Sequence, residues 1–274
     1  MLRLLLFIPC FILFANSVCA QGDSLTLYTD HKPLVYEDAT NFYPFTYINN
    51  EGKPDGYNVA LVKLLLDDLK IPYVIKLKPF REVLADLKSG QCDLTFGLPA
   101  MSNSDYGKYG HTSITLLTQS VATPKSNSVA IKTFHDLSNP DNKVTVSEHS
   151  VCLDLMNDYG WADNAIVSRN MVKEMIVLNA TQQGQVVWNT AALKWIIREE
   201  HLDNLMITPV NMPHMDYRFL SRNQQLLNLL DKTYSRLYTD DKMEALESKW
   251  FYPDRVSPSS PQWHTILAIV GILL

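Results

Sequence analysis

Between residues 24 and 250 the chain alternates short strand-like runs with stretches of helical period, and this alternation limits the fold more than any other feature. Residues 25–29 alternate as a strand, 43–47 read as extended, and Asn49-Asn-Glu-Gly52 is turn chemistry. Val59, Val62, Leu65, Leu66 and Leu69 recur at helical spacing across 58–70. Tyr73, Ile75 and Leu77 then alternate with Val74, Lys76 and Lys78, which predicts a strand with one partly wet face. Residues 80–89 form a predicted helix stopped by Gly90, a residue suited to a left-handed C-terminal cap, and 93–97 a strand. Beyond about residue 125 the rhythm resumes, with strands at 144–146, 165–167, 185–188 and 205–208. Helices are expected at 151–159, 170–182, 190–200, 223–237 and 240–250. Parallel strands need long crossovers, usually helical, so the pattern predicts an α/β fold with largely parallel sheets.

The chain has 274 residues, enough for about two domains. Hydrophobic residues at 46% and charged ones at 19% exclude a disordered or collagen-like chain. With 24 Lys and Arg against 29 Asp and Glu, no basic excess exists to neutralise a phosphate backbone, which argues against nucleic acid as a partner. Catalytic signatures are missing: there is no Gly-rich phosphate loop, no Gly-x-Ser-x-Gly elbow and no His-Glu-x-x-His pair. His31 beside Asp30 reads as a surface-loop residue. Met212-Pro-His-Met215 reads as a connection rather than a soft copper site. Asp240, Asp241, Glu244 and Glu247 read as a solvated helix face. No catalytic residue, metal or cofactor is expected, and the residues given are not expected to form an enzyme.

The two ends suggest a location. Arg3 precedes an apolar run from Leu4 to Ala15, and Val18 and Ala20 supply the small residues of a cleavage site before Gln21. Residues 1–20 are therefore expected to be a signal peptide. At the other end, 253–262 reads as a linker rich in Ser and Pro, and 263–274 is nearly all apolar. That run is about half the length a membrane span needs. It is read as the start of a transmembrane helix, with Trp263 at the interface; a short core helix and a glycolipid-anchor tail are the alternatives. Cleavage would leave Cys92 and Cys152, one before a strand of the first half and one opening a helix of the second. Two free thiols are expected.

Within this frame the stretch Tyr43-Pro-Phe-Thr-Tyr-Ile-Asn-Asn-Glu-Gly-Lys-Pro-Asp-Gly-Tyr-Asn-Val-Ala-Leu61 resembles the opening of the bacterial extracellular solute-binding proteins of family 3, the polar amino-acid type. The likeness continues through Phe80, Leu87-Lys-Ser-Gly-Gln-Cys-Asp93 and His111-Thr112 to Leu246-Glu-Ser-Lys-Trp-Phe251, covering about residues 24–252. The resemblance implies a two-lobed, periplasmic-binding-protein-like α/β fold of type II, with two hinge crossings and a ligand cleft between the lobes. Lobe one is then expected at 24–121 plus 213–252 and lobe two at 126–208. The crossings would lie near 122–124 and 209–213, where prolines suit extended connections. A solute touching both lobes would favour the closed state.

With the apolar tail, the chain is most like the extracytoplasmic sensor domain of a membrane-bound histidine kinase. Its expected partners are a small polar solute, the membrane through a C-terminal helix, and cytoplasmic signalling domains. It would be exported to the periplasm and tethered to the inner membrane. The alternatives are the substrate-binding protein of an amino-acid-type uptake transporter, working with a permease, and a non-catalytic domain of a larger cell-wall lyase or cyclase.

The site departs from the family pattern. The arginine that holds an amino acid's carboxylate in the family falls on Asp105, or on Ser104 with a gap, and the lobe-two acid falls within 189–192, where none is acidic. Both charge clamps are missing, so a cationic or uncharged ligand is expected unless Asp105 is simply a solvated loop residue. Phe42, Tyr43 and Phe80 offer aromatic faces, and Phe45 either joins them or fills core. Arg81 is a replacement anion clamp or a solvated helix residue. Ser150 at a helix start either holds a carboxylate or simply caps. Gly97 and Asn189, each at a strand end, complete the ligand-binding set.

Overall fold

The structure is a computed structural model and describes residues 28–98, 106–127, 130–148, 150–213, 215–240 and 242–252. The chain opens with β1 (Leu34–Ala39), then turns through a small antiparallel sheet of β2 (Asn41–Phe42), β3 (Thr46–Ile48) and β4 (Pro54–Asp55). Gly56 follows at φ +119°, where a Cβ would collide with the Phe45 carbonyl, so glycine alone fits this entry to α1 (Tyr57–Asp68). The helix buries Val59, Leu61, Val62, Leu65 and Leu66 against the first core and delivers β5 (Tyr73–Lys78) parallel to β1. Next come α2 (Phe80–Ser89), ended by Gly90 in the left-handed conformation, and β6 (Thr95–Gly97). Two short strands, β7 (Lys108–Tyr109) and β8 (Thr115–Leu117), complete this stretch.

The chain then enters a second sheet. Its members are β9 (Gln119–Pro124), β10 (Val144–Ser147), β11 (Ala165–Ser168), β12 (Val186–Asn189) and β13 (Leu205–Pro209), in the order β11-β10-β12-β9-β13. Between them run α3 (Val151–Asp158), α4 (Met171–Thr181) and α5 (Thr190–Glu199). Two apolar clusters flank this sheet, one containing Met175, Leu193 and Ile196, the other Val146, Cys152 and Met156. The chain returns through β14 (Met215–Ser221) and closes the first lobe with α6 (Gln224–Thr239) and α7 (Lys242–Phe251). The result is the expected two-lobed α/β architecture.

Several expectations change. Residues 25–27 lie outside the described residues, and Thr29 makes only an isolated bridge to Lys32; the first ladder strand is β1. That strand carries buried Glu37 and Asp38, whose polarity hides it from a reading of apolar alternation. The sheets are mixed rather than largely parallel: β1 pairs β5 and β10 pairs its neighbours in parallel, whereas β9 and β14 run antiparallel to every ladder partner. These two strands carry the chain out of and back into the first lobe, so they run against the strands they join. Pairing passes from β14 to β12 and β13 between Leu117 and Gln119, so the chain passes from one sheet to the other at Thr118. On the return, β13 ends at Pro209 and β14 begins at Met215. The signal-like residues 1–20, the linker at 253–262 and the apolar run at 263–274 lie outside the described residues. Among the described residues no helix is long and apolar enough to cross a membrane.

Cys92 and Cys152 are free and buried in separate clusters, Cys92 beside Leu87 and Leu220 and Cys152 beside Met156. Burial pushes each thiol up to about 12.

Candidate functional site

In α/β sheets, ligands bind outside the carboxyl ends of the strands. Those ends here are the segments after β1, β5, β6, β10 and β12, which carry the residues singled out from sequence: Phe42 and Tyr43, Phe80 and Arg81, Gly97, Ser150, and Asn189. Asp105 lies outside the described residues.

The aromatic pair after β1 divides. Phe42 stacks on Phe45 with centroids 4.7 Å apart and meets Tyr217 edge-on at 6.0 Å, while Phe45 is fully buried core. Tyr43 instead reaches the other lobe, stacking on Trp195 of α5 at 4.6 Å and 17°. Tyr47 joins the stack at 5.2 Å from Tyr43 and 5.4 Å from Trp195, and meets Trp250 of α7 at 6.3 Å. Burial, helped by the Glu200 charge, raises the Tyr43 phenol above its ordinary range. Val151, Leu155 and Ala191 of the second lobe also pack on the first lobe's core. The lobes are therefore in contact beside the strand ends.

The remaining predicted residues have definite local duties. Phe80 is half-buried at the first turn of α2, and Arg81 beside it is exposed. Gly97 stands opposite Arg218 in the ladder, and a Cβ there would come to 3.2 Å from the Leu220 and Tyr109 side chains, which would have to give by a few tenths of an ångström. Ser150 caps α3, its Oγ accepting from the Leu153 N–H at 3.2 Å. Asn189 caps α5, its Oδ1 accepting from the Ala191 and Ala192 N–H groups at 3.0 and 3.2 Å. Both capping oxygens are engaged.

Sequence reasoning missed the polar centre of the first lobe. Asp38, 1% exposed at the end of β1, accepts from the Tyr36 hydroxyl at 2.6 Å, the Asn58 amide at 2.9 Å and the Ala39 N–H at 2.7 Å. The same Asn58 amide donates to the Tyr217 hydroxyl at 2.9 Å, so β1, α1 and β14 share one network. Desolvation lifts the Asp38 carboxyl to about 6, and these hydrogen bonds restrain the rise. The two phenols are pushed well above their ordinary range, chiefly by burial, so both stay protonated, Tyr36 donating to Asp38 and Tyr217 accepting from Asn58. The signal available was an Asp ending an apolar run, followed by an Asn inside an apolar helical face.

On the neighbouring residue the charge logic differs. Glu37 is fully buried yet meets Lys78 at 2.9 Å and Lys76 at 3.4 Å. At the crossing, the Thr118 hydroxyl donates to Thr190 Oγ1 at 2.9 Å and Ser120 lies 2.8 Å from the same oxygen. The Thr190 N–H donates to the Thr118 carbonyl, which ties the first residue of α5 to the crossing itself. Among the described residues no group of three or more His, Cys, Asp or Glu could hold a metal ion.

Solved structures with this fold are numerous. A histidine kinase sensor domain similar to periplasmic binding proteins superposes with a TM-score of 0.67 at 20% identity, covering 80% of this chain and 96% of that one. A substrate-binding protein of an ABC uptake transporter from Streptococcus pneumoniae, bound to histidine, gives 0.69 at 17% identity, covering 84% and 96%. An ancestral arginine-binding protein bound to glutamine gives 0.67 at 19%, covering 80% and 98%. No curated protein sequence matches the chain. The profile of the bacterial extracellular solute-binding proteins, family 3, matches residues 35–253, and the chain belongs to that family.

Proposed function

We propose that the chain is an extracytoplasmic sensor module that closes on a small polar solute and passes the closed state to a membrane-linked partner. The observation that carries this reading is the stack of Tyr43 on Trp195, which joins the lobes and continues through Tyr47 to Trp250 near the end of α7. Residues 253–274 follow directly, so any rearrangement of the lobes is felt where the chain goes on toward its apolar run. Export through residues 1–20 and tethering through 263–274 belong to this proposal. So does a division of the lobes at Thr118 and 210–214.

The ligand in this reading is cationic or uncharged. In this reading Asp105, or Ser104 with a gap, stands in place of the family's arginine, and the Ser150 and Asn189 oxygens serve as helix caps. Phe42, Phe80 and Gly97 would line the first-lobe wall. The kinase sensor domain of like fold supports the signalling reading, and the transporter protein of like fold supports delivery to a permease as the second. As a solute-binding protein the chain works by closure, and no residue is assigned a catalytic step.

A thermal-shift screen of the exported chain against amino acids, polyamines, nucleosides and small acids tests the binding. Ligand at about 100 times its Kd adds roughly 2.7 kcal/mol. The tightest hits are expected among cationic or neutral solutes, whereas tight binding of dicarboxylates would overturn the charge assignment.

A further inference from the structure

A pocket of about 210 Å³ lies where α5, the crossing at Thr118 and the end of α7 meet. Of the residues assigned to the cleft, Asn189 alone lines it. Its walls come from both lobes: Leu117 and Thr118 on one side, Thr190 and Trp195 on another, Trp250 on a third. Three properties define what fits. Lys194 and Arg198 line it and no carboxylate does. Lys194 is exposed and makes no ion pair among the described residues, while Arg198 meets only its chain neighbour Glu199. The two indoles, with Phe45 and Phe251, give it flat apolar walls.

Trp250 adds an independent sign. It is 7% exposed, and its buried Nε1–H has no hydrogen-bond partner among the described residues. Size narrows the class further, because a cavity of about 150 Å³ already holds benzene. The available volume suits one ring with a small substituent.

We propose that this pocket binds a small planar aromatic carboxylate, its ring against the walls that Trp195 and Trp250 supply and its charge toward Lys194 and Arg198. The occupant contacts both lobes and the crossing. It therefore favours their closed arrangement and couples positively to whatever solute closes the cleft.

Benzoate is the probe, titrated into the full chain by calorimetry and by tryptophan fluorescence. Saturable binding in the millimolar range or tighter is expected. The uncharged isostere benzamide binds at least about fivefold more weakly, and the double variant Lys194→Glu, Arg198→Glu at least about tenfold more weakly. Those two sites are on the surface, so circular dichroism should be unchanged. Trp250→Phe, which keeps a ring and removes the donor, weakens binding severalfold, and Phe80→Ala in the cleft leaves it intact. Absence of saturation overturns the proposal. So does full affinity in both the charge-reversed and Trp250→Phe proteins, or a loss caused by Phe80→Ala. None of these outcomes depends on the identity of the cleft's own ligand.

Discussion

Asp38 carries a measurable pH signature. Its carboxyl rises from 3.8 to about 6 on folding, through burial that outweighs three hydrogen bonds. Between about pH 4 and 6 the folded chain keeps a proton that the unfolded chain has released. Stability from this group is therefore complete below about pH 4 and is lost as pH climbs through 6. At 1.36 kcal/mol per unit, the loss approaches roughly 3 kcal/mol. Asp38→Asn cannot titrate, so the difference in unfolding free energy between the two proteins isolates the effect while other carboxylates cancel. The variant has a cost of its own. With its oxygen toward Tyr36 and Asn58, its amide faces the Ala39 N–H, donor against donor, at about 1–3 kcal/mol independent of pH. Urea denaturation at pH 4, 5, 6 and 7 should show the wild type's advantage shrinking by up to roughly 3 kcal/mol, most of it before pH 6. A flat difference, or one growing with pH, refutes the assignment of a desolvated carboxyl.

Three further outcomes are expected, two from this geometry and one from the sequence position of Asp105. Tyr43→Ala removes a stacked pair worth about 0.5–1.5 kcal/mol, shifting the lobes toward the open form up to about tenfold; an unchanged radius of gyration in solution scattering would show that the stack does not hold them. Without reductant, Cys92 and Cys152 should resist alkylation in the folded chain and both react once denatured, and a cross-linked peptide joining them would contradict their placement. Asp105→Asn should raise the affinity of ordinary zwitterionic amino acids at least tenfold, since a carboxylate 4 Å from Asp105 costs roughly 4 kcal/mol at an effective dielectric near 20; calorimetry showing equal affinity would make Asp105 a bystander.

How far the fold could be read in advance depended on what each segment buries. Helices with one apolar face, such as α1 and α6, appear within two residues of their expected limits because burial there needs only the helical period. β1 and β14 were hidden because each buries polar groups that other elements satisfy: Asp38 needs Asn58 from α1, and Tyr217 meets the same amide. Such pairings are tertiary, and no local window contains them. The same holds at the site. Strand ends were identifiable, so Gly97 and Asn189 fall at the ends of strands and Phe80 at the start of a helix, as read from sequence. Whether an aromatic faces the cleft or the other lobe depends on a partner about 150 residues away, and Trp195 gave no sign of its role.

The position of β14 bears on the order in which the protein can be assembled. Among the described residues it is the only ladder partner of β6, β7 and β8, yet it is made after the whole second sheet. At about 5–20 residues per second, synthesis leaves those three strands waiting for roughly 5–20 s. The second lobe, continuous from β9 to β13, has all its strands in hand before the first does. The segment synthesised later is thus the one able to fold earlier. A chain that stops between Pro209 and Met215 carries all the strands of the second sheet beside a first lobe whose sheet lacks its centre, a species for quality control to remove rather than a binder of reduced affinity.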